Sequence, residues 1–216
     1  MAYGFLDIAV TPAVRAAQEA NGVAEMWQGF KGHREFDRFD EATKGFIEAR
    51  DSFYIASVSE TGWPYVQHRG GARGFLRVID DTTLAFADYR GNRQYISLGN
   101  LSANDKTSLF LMDYPNRTRL KIYARAKAYA LDEDPELTRK VLGDGPPVRA
   151  ERIITLQLES FDWNCPQYIV PRFTAEEIEG ALQPIRSRLA ELEAENQSLR
   201  ERLGTAGENT HAMQGE

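Results

Sequence analysis

The chain of 216 residues has a single cysteine, Cys165. An internal disulfide is therefore impossible, and a lone thiol fits a reducing compartment. The histidines His33, His68 and His211 lie far apart and show no zinc-site spacing, so no metal site is expected. There is no excess of positive charge: 26 Lys and Arg against 32 Asp and Glu give a net charge of −6. Bulk binding to nucleic acid usually needs a basic chain, so that class is disfavoured, and any anion site must be a local cluster. No apolar run approaches the ~20 residues that cross a bilayer. MAYGFLDIAVTPAVRAAQEANG at the N-terminus lacks a basic segment ahead of a sustained apolar core, so no secretory signal is read there. The expectation is a soluble, cytoplasmic protein. No internal repeat is visible, and Gly143-Asp-Gly-Pro-Pro147 is no P-loop, since it lacks the Lys-Ser/Thr pair and follows a helix.

What is present is enough apolar sequence, 42% of residues, for one domain and an appendage. Residues 1–50 carry helical patterns and are expected to pack on that domain. Thr11-Pro12 is a helix start and Asn21-Gly22 a stop; Asp40 is a candidate N-cap for a second helix. From Ser52 the period changes. SFYIASVS, PYVQHR, GFLRVID, TLAFAD, TSLFLMD, RLKIYARAKAYAL and RIITLQL read as strands, with ETGW and Asp80-Asp-Thr82 as turns. A short helix is expected within Asn92–Leu101, and another from Asp134 to Leu142. Strands joined mostly by short connections predict a mainly β antiparallel barrel with flanking helices over 51–173.

The C-terminal stretch follows another rule. Ile178, Leu182, Ile185, Leu189, Leu192, Asn196, Leu199 and Leu203 alternate by four and three, a heptad seam. Leu182, Leu189, Asn196 and Leu203 take position a; Ile178, Ile185, Leu192 and Leu199 take d. Arg188 and Glu195 at g would attract Glu193 and Arg200 at e of a parallel partner. The plainer reading is one amphipathic helix lying on its own domain, although a surface helix usually has a wider stripe. Pro184 predicts a kink or a fresh start. The coiled-coil helix is expected over 174–203 and a disordered tail over 204–216.

Three basic clusters stand at strand ends: Arg69-Gly-Gly with Arg73, Arg90-Gly-Asn-Arg93, and Asn116-Arg-Thr-Arg-Leu-Lys121. An arginine fork matches phosphate, glycine lets backbone come close, and a helix N-terminus favours an anion. Singly, each is an ordinary solvated turn; together they suggest one shared anionic ligand. Arg73, past the glycines, is read as facing solvent.

SFYIASVSETGWPYVQHRGG, GFLRVIDDTTLAFADYRGNRQYISLGNL, SLFLMDYPNRTRLKIYARAKA and ESFDWNCPQYIVPRF, in that order, resemble the pyridoxamine 5′-phosphate oxidase-like FMN-binding proteins over residues 25–175. The resemblance implies a split β-barrel homodimer holding FMN at its interface. It implies that Gln67, His68, Arg69 and Gly70 approach the flavin, that the backbone of Ala87 and Asp88 faces the ring, and that Asn92, Arg93 and Gln94 form the phosphate turn. It places Arg119 at a flavin-contacting position. Trp163, Asn164, Cys165 and Gln167 would lie in a loop reaching the partner's flavin. For three of these there is a plainer reading: His68 in solvent or a hydrogen bond, Trp163 in core packing, Cys165 as an inert buried thiol.

The segment AKAYALDEDPELTRKVL lacks the Tyr, Arg and Ser set of a true oxidase, and PRF continues into heptads in place of the Arg-x-His motif. The resemblance therefore implies an FMN-dependent oxidoreductase with a different, unknown substrate, not a pyridoxamine phosphate oxidase. The alternatives are a non-catalytic flavin-binding or sensor protein, or a haem- or F420-binding relative.

Overall fold

The computed structural model describes residues 4–27, 37–144, 149–163 and 166–212. They divide into two compact units, one ending at Val170 and one starting at Pro171. In the first, helices α1 (Phe5–Ala9), α2 (Pro12–Ala20), α3 (Ala24–Trp27) and α4 (Glu41–Glu48) precede the strands β1 (Ser52–Val58), β2 (Pro64–Gly70), β3 (Arg77–Val78) and β4 (Thr83–Tyr89). Then come α5 (Ile96–Ala103), β5 (Lys106–Asp113), β6 (Thr118–Ala130), α6 (Pro135–Leu142) and β7 (Ala150–Trp163). The second unit is α7 (Ala175–Ala212).

Capping chemistry fixes several starts. The Val14 N–H donates to Thr11 Oγ1, the Thr43 N–H to Asp40 Oδ1 at 2.7 Å, and the Leu137 N–H to Asp134 Oδ1 at 2.9 Å. GFLRVID yields only the two-residue edge strand β3. Gly74 sits at φ +76° and the Phe75 N–H donates to the Ala72 carbonyl, so the chain is still turning where a strand was expected.

The strands form one antiparallel sheet in the order β2-β1-β5-β6-β7-β4-β3. Side-chain alternation sends Phe53 and Ile55, Leu109 and Leu111, Leu120 and Ile122, and Ile154 and Leu156 to one core. That core closes the sheet on itself. Phe53 on β1 and Phe86 on β4 have three strands between them in the sheet, yet their rings meet edge to face at 5.4 Å. The register slips between Tyr123 and Ala124 where β6 meets β7, a bulge of the kind that bends a strand round a barrel.

β4 is buried on both faces because α6 covers its outer side, where Ala85 and Ala87 pack with Leu137, Val141 and Ile153. α4 contributes Ile47 to the core, together with Phe39 just ahead of it, whose ring meets Phe161 at 5.7 Å. Arg50, after α4, pairs with Asp113 at 2.9 Å. Burial alone would raise the Asp113 pKa, but hydrogen bonds from Asn116 and the Arg50 charge hold it below the ordinary range. Among the N-terminal helices, α1 is tied down by Phe5, which stacks on Tyr123 at 4.5 Å.

α7 begins with a capping box. The Glu177 N–H donates to Thr174 Oγ1, and the Thr174 N–H donates to Glu177 Oε2 at 2.8 Å. Pro184 lies inside the helix, not at a fresh start, and the helix runs past Gly204 to Ala212, so it outlasts its apolar pattern. Among the described residues no helix is long and apolar enough to cross a membrane.

Candidate functional site

Curling of the sheet brings β2 and β4 together, and with them Arg69 and Asp88. Arg69 Nη1 donates to Asp88 Oδ1 at 2.8 Å, and Arg152 Nη1 donates to Asp88 Oδ2 at 2.8 Å. One largely buried carboxylate thus holds two guanidinium groups. Asp88 and Arg152 are register partners on β4 and β7, which explains the second contact; the first spans the barrel closure. Arg69 keeps one donor spare, since its buried Nε has no hydrogen-bond partner.

Beyond this triad the chain leaves β4 in a tight turn. Asn92 Oδ1 accepts from the Gln94 N–H at 3.0 Å, while Arg93 and Tyr95 take left-handed backbone at φ 62° and 52°. The turn delivers the chain into α5, whose N-cap, Tyr95, offers no side-chain cap. Backbone N–H groups at that end are left for another acceptor. Glu151 steadies the far wall: it accepts from Arg90 Nε at 3.1 Å, Tyr95 Oη at 3.2 Å and Arg152 Nη2 at 3.1 Å. Burial works against the Glu151 charge, but Arg90, Tyr95 and Arg152 outweigh it and lower its pKa.

These elements enclose a cavity of about 210 Å³ lined by Tyr65, Gln67, Arg69, Asp88, Asn92, Arg93, Gln94, Tyr95 and Glu151, with the first residues of α5. Four arginines at or behind the wall, Arg69, Arg90, Arg93 and Arg152, face two carboxylates. Arg93 is exposed and enters no ion pair among the described residues. The arrangement suits a dianion bound by forked donors and a helix N-terminus.

Of the residues singled out in the sequence, Gln67, Arg69, Asp88, Asn92, Arg93 and Gln94 meet here. The others that are described lie outside its lining. Strand alternation turns His68 away from Gln67 and Arg69, and its ring meets Tyr54 at 5.5 Å. A Cβ at Gly70 would stand 3.1 Å from the His68 ring, and one at Gly71 only 2.8 Å from Phe75. Along the Cβ direction, both glycines thus face this chain's own side chains. Ala87 packs beneath α6. Arg119 lies over the Phe110 ring at 5.3 Å, and Trp163 meets Phe46 edge to face at 4.8 Å against the core. Gln167 is exposed after β7, and Asn164 and Cys165 fall outside the described residues, as does His33. Sequence reasoning missed Arg152, Glu151, Tyr65 and Tyr95. A charged pair, Glu151-Arg152, opening the strand just ahead of Ile153 and Ile154 was the available signal.

The family model described as pyridoxamine 5′-phosphate oxidase matches residues 39–159, more than half of the chain. The chain belongs to this family. The match takes in the whole cavity and leaves α1 to α3, Trp163, Gln167 and α7 outside it. The curled seven-stranded sheet with flanking helices is the family's split barrel. Similar solved structures include an FMN-binding protein from Syntrophomonas wolfei, at 15% identity and a TM-score of 0.45 over 68% of this chain and 97% of that one. HupZ from Group A Streptococcus gives 15% and 0.46 over 62% and 99%. A protein related to general stress protein 26, of the pyridoxinephosphate oxidase family, from Clostridium acetobutylicum gives 12% and 0.41 over 63% and 94%. At these TM-scores none of them bears on the ligand. No curated protein sequence matches the chain.

Proposed function

We propose that this member of the pyridoxamine 5′-phosphate oxidase family binds FMN and acts as an FMN-dependent oxidoreductase on a small molecule. The observation that carries the reading is the convergence of Arg69, Arg93 and the uncapped end of α5 on one cavity. Arg93 and the α5 N–H groups would hold the phosphate, Asn92 and Gln94 would keep the turn in shape, and the spare Nε of Arg69 would meet an acceptor along the ribityl chain. FMN, once bound, supplies hydride chemistry at N5.

The fit is good for the phosphate end and incomplete for the ring. Cavities for ligands of this size run to about 300–1,000 Å³, so 210 Å³ takes only part of FMN. The ring therefore needs a further wall, which supports a homodimer with the flavin between subunits. The lone cysteine supports work in the cytoplasm. A second reading, flavin carriage without turnover, has its own support. Both carboxylates of the cavity, Asp88 and Glu151, are tied up by arginines, which leaves no ready proton donor among them.

Comparing FMN with riboflavin tests the binding reading. FMN should bind more tightly and raise Tm, and Arg93→Ala should weaken FMN about tenfold to a hundredfold while leaving riboflavin nearly unchanged. Equal affinity for the two flavins in the unaltered protein would remove the proposed phosphate seat. Turnover of NADH or NADPH with an electron acceptor separates the oxidoreductase from the carrier.

A further inference from the structure

α7 carries an apolar seam that the helix by itself cannot cover. Ile178, Ile185, Leu189, Leu192 and Leu199 are each 45–64% exposed, and Leu182 is 36% exposed. The stripe is narrow. Between its members stand Arg186, Arg188, Glu193, Glu195 and Arg200, and the outer positions carry Gln183, Ser187, Glu191, Gln197 and Glu201. A helix meant to lie on a globular core shows a broader apolar face; two positions in seven is the stripe of a two-stranded seam. It spans residues 178 to 203, roughly four heptads, or about 39 Å of helix, enough for a stable coiled coil.

We propose that α7 pairs with α7 of a second copy of this chain as a parallel, in-register coiled coil, with Asn196 setting the register. Three features on the helix choose this occupant. In a parallel pair each a position faces the same a position of its mate, so two Asn196 amides meet and satisfy each other. In a fully overlapped antiparallel pair a faces d, and Asn196 would be buried against Ile185 without a partner. The flanking charges agree. Arg188 meets Glu193 of the partner subunit, and Glu195 meets Arg200 of the partner subunit. In the single chain Arg188 instead pairs with Glu191 at 2.8 Å, an exposed contact that contributes little and exchanges readily. Finally, Pro184 falls at position c, facing away from the seam. The helix bond it removes, to the Gly180 carbonyl, lies on the outer side and leaves the contact face whole. None of this depends on flavin binding.

Disulfide trapping in the full-length chain tests the pairing, with Cys165→Ser removing the native thiol. Leu192→Cys, at d, should give an inter-chain disulfide under mild oxidation, and Gln197→Cys, on the outer face, should give none. No crosslink at Leu192→Cys in a helical, folded protein, or equal crosslinking at both sites, overturns the proposal. Arg188→Glu should reduce the Leu192→Cys crosslink, and Arg188→Glu with Glu193→Arg should restore it; failure of the restoration would remove the parallel register. Asn196→Leu should turn a single dimer into a mixture of oligomers by sedimentation, and a pure dimer would deny Asn196 its role.

Discussion

Leu109 and Leu189 are the same residue, each on a strong apolar pattern, one fully buried and the other 56% exposed. The difference separates the two units of this protein. Leu109 sits on a period-two strand whose neighbours arrive from distant parts of the chain, and the closing sheet covers it. Leu189 sits on a seven-residue repeat along a single helix, where contacts are local and nothing in the helix itself can cover the seam. A periodic pattern announces that a face will be buried; topology decides whether the same chain can bury it.

The hardest test of this contrast is a matched pair of truncations. Phe86 is fully buried between Phe53 and the Arg69 guanidinium, so Phe86→Ala should cost about 3–5 kcal/mol and lower the barrel's Tm sharply. Leu192→Ala, on the exposed seam, should leave that Tm unchanged within error. If calorimetry finds the two equally damaging, the seam is already covered by the barrel, and the two units are one.

Next in size is the carboxylate between two arginines. Asp88→Asn keeps the shape but leaves Arg69 and Arg152, both mostly buried, without their counter-charge. A loss of about 2–3 kcal/mol in unfolding free energy is expected, below the full cost of a wholly buried pair because water reaches both guanidinium groups. Reversing a charge of α7, as in Glu195→Lys, should not move barrel stability at all. Chemical denaturation followed by tryptophan fluorescence reads both.

The outcome also shows where sequence reading reaches. Asp40, Thr11-Pro12 and Asp134 were legible as helix starts because a cap is a local event, made within three residues. The long strands were legible from alternation. β3 was overread, since a turn at Gly74 depends on backbone conformation that an apolar run does not reveal. The phosphate-type turn at Asn92–Gln94 was visible as residues, and so was Arg69. That Asp88 would clamp Arg69 was not, because the contact exists only after β2 and β4 have met at the barrel closure. Gly70 and Gly71 were visible as residues too; that His68 and Phe75 would stand beside them was not.

The smallest effect comes from caps, and it divides the units most finely. Asp40 caps α4, whose Ile47 lies in the barrel core; Thr174 caps α7, in the other unit. Asp40→Ala should therefore cost about 1 kcal/mol of barrel stability at neutral pH, while Thr174→Ala should cost the barrel nothing. The Thr43 hydroxyl and amide hold the Asp40 carboxyl below its ordinary range. Its folded pKa is thus the lower one, and the stabilisation is complete above the unfolded value, about 3.9, and fades as pH falls through the folded value. The gap between wild type and Asp40→Ala should close in that acidic window. Asp40→Asn, which caps without titrating, should keep its advantage over Asp40→Ala there. A gap that stays constant from neutral pH down to the acid limb would mean that the Asp40 charge contributes nothing, and that the cap acts through its geometry alone.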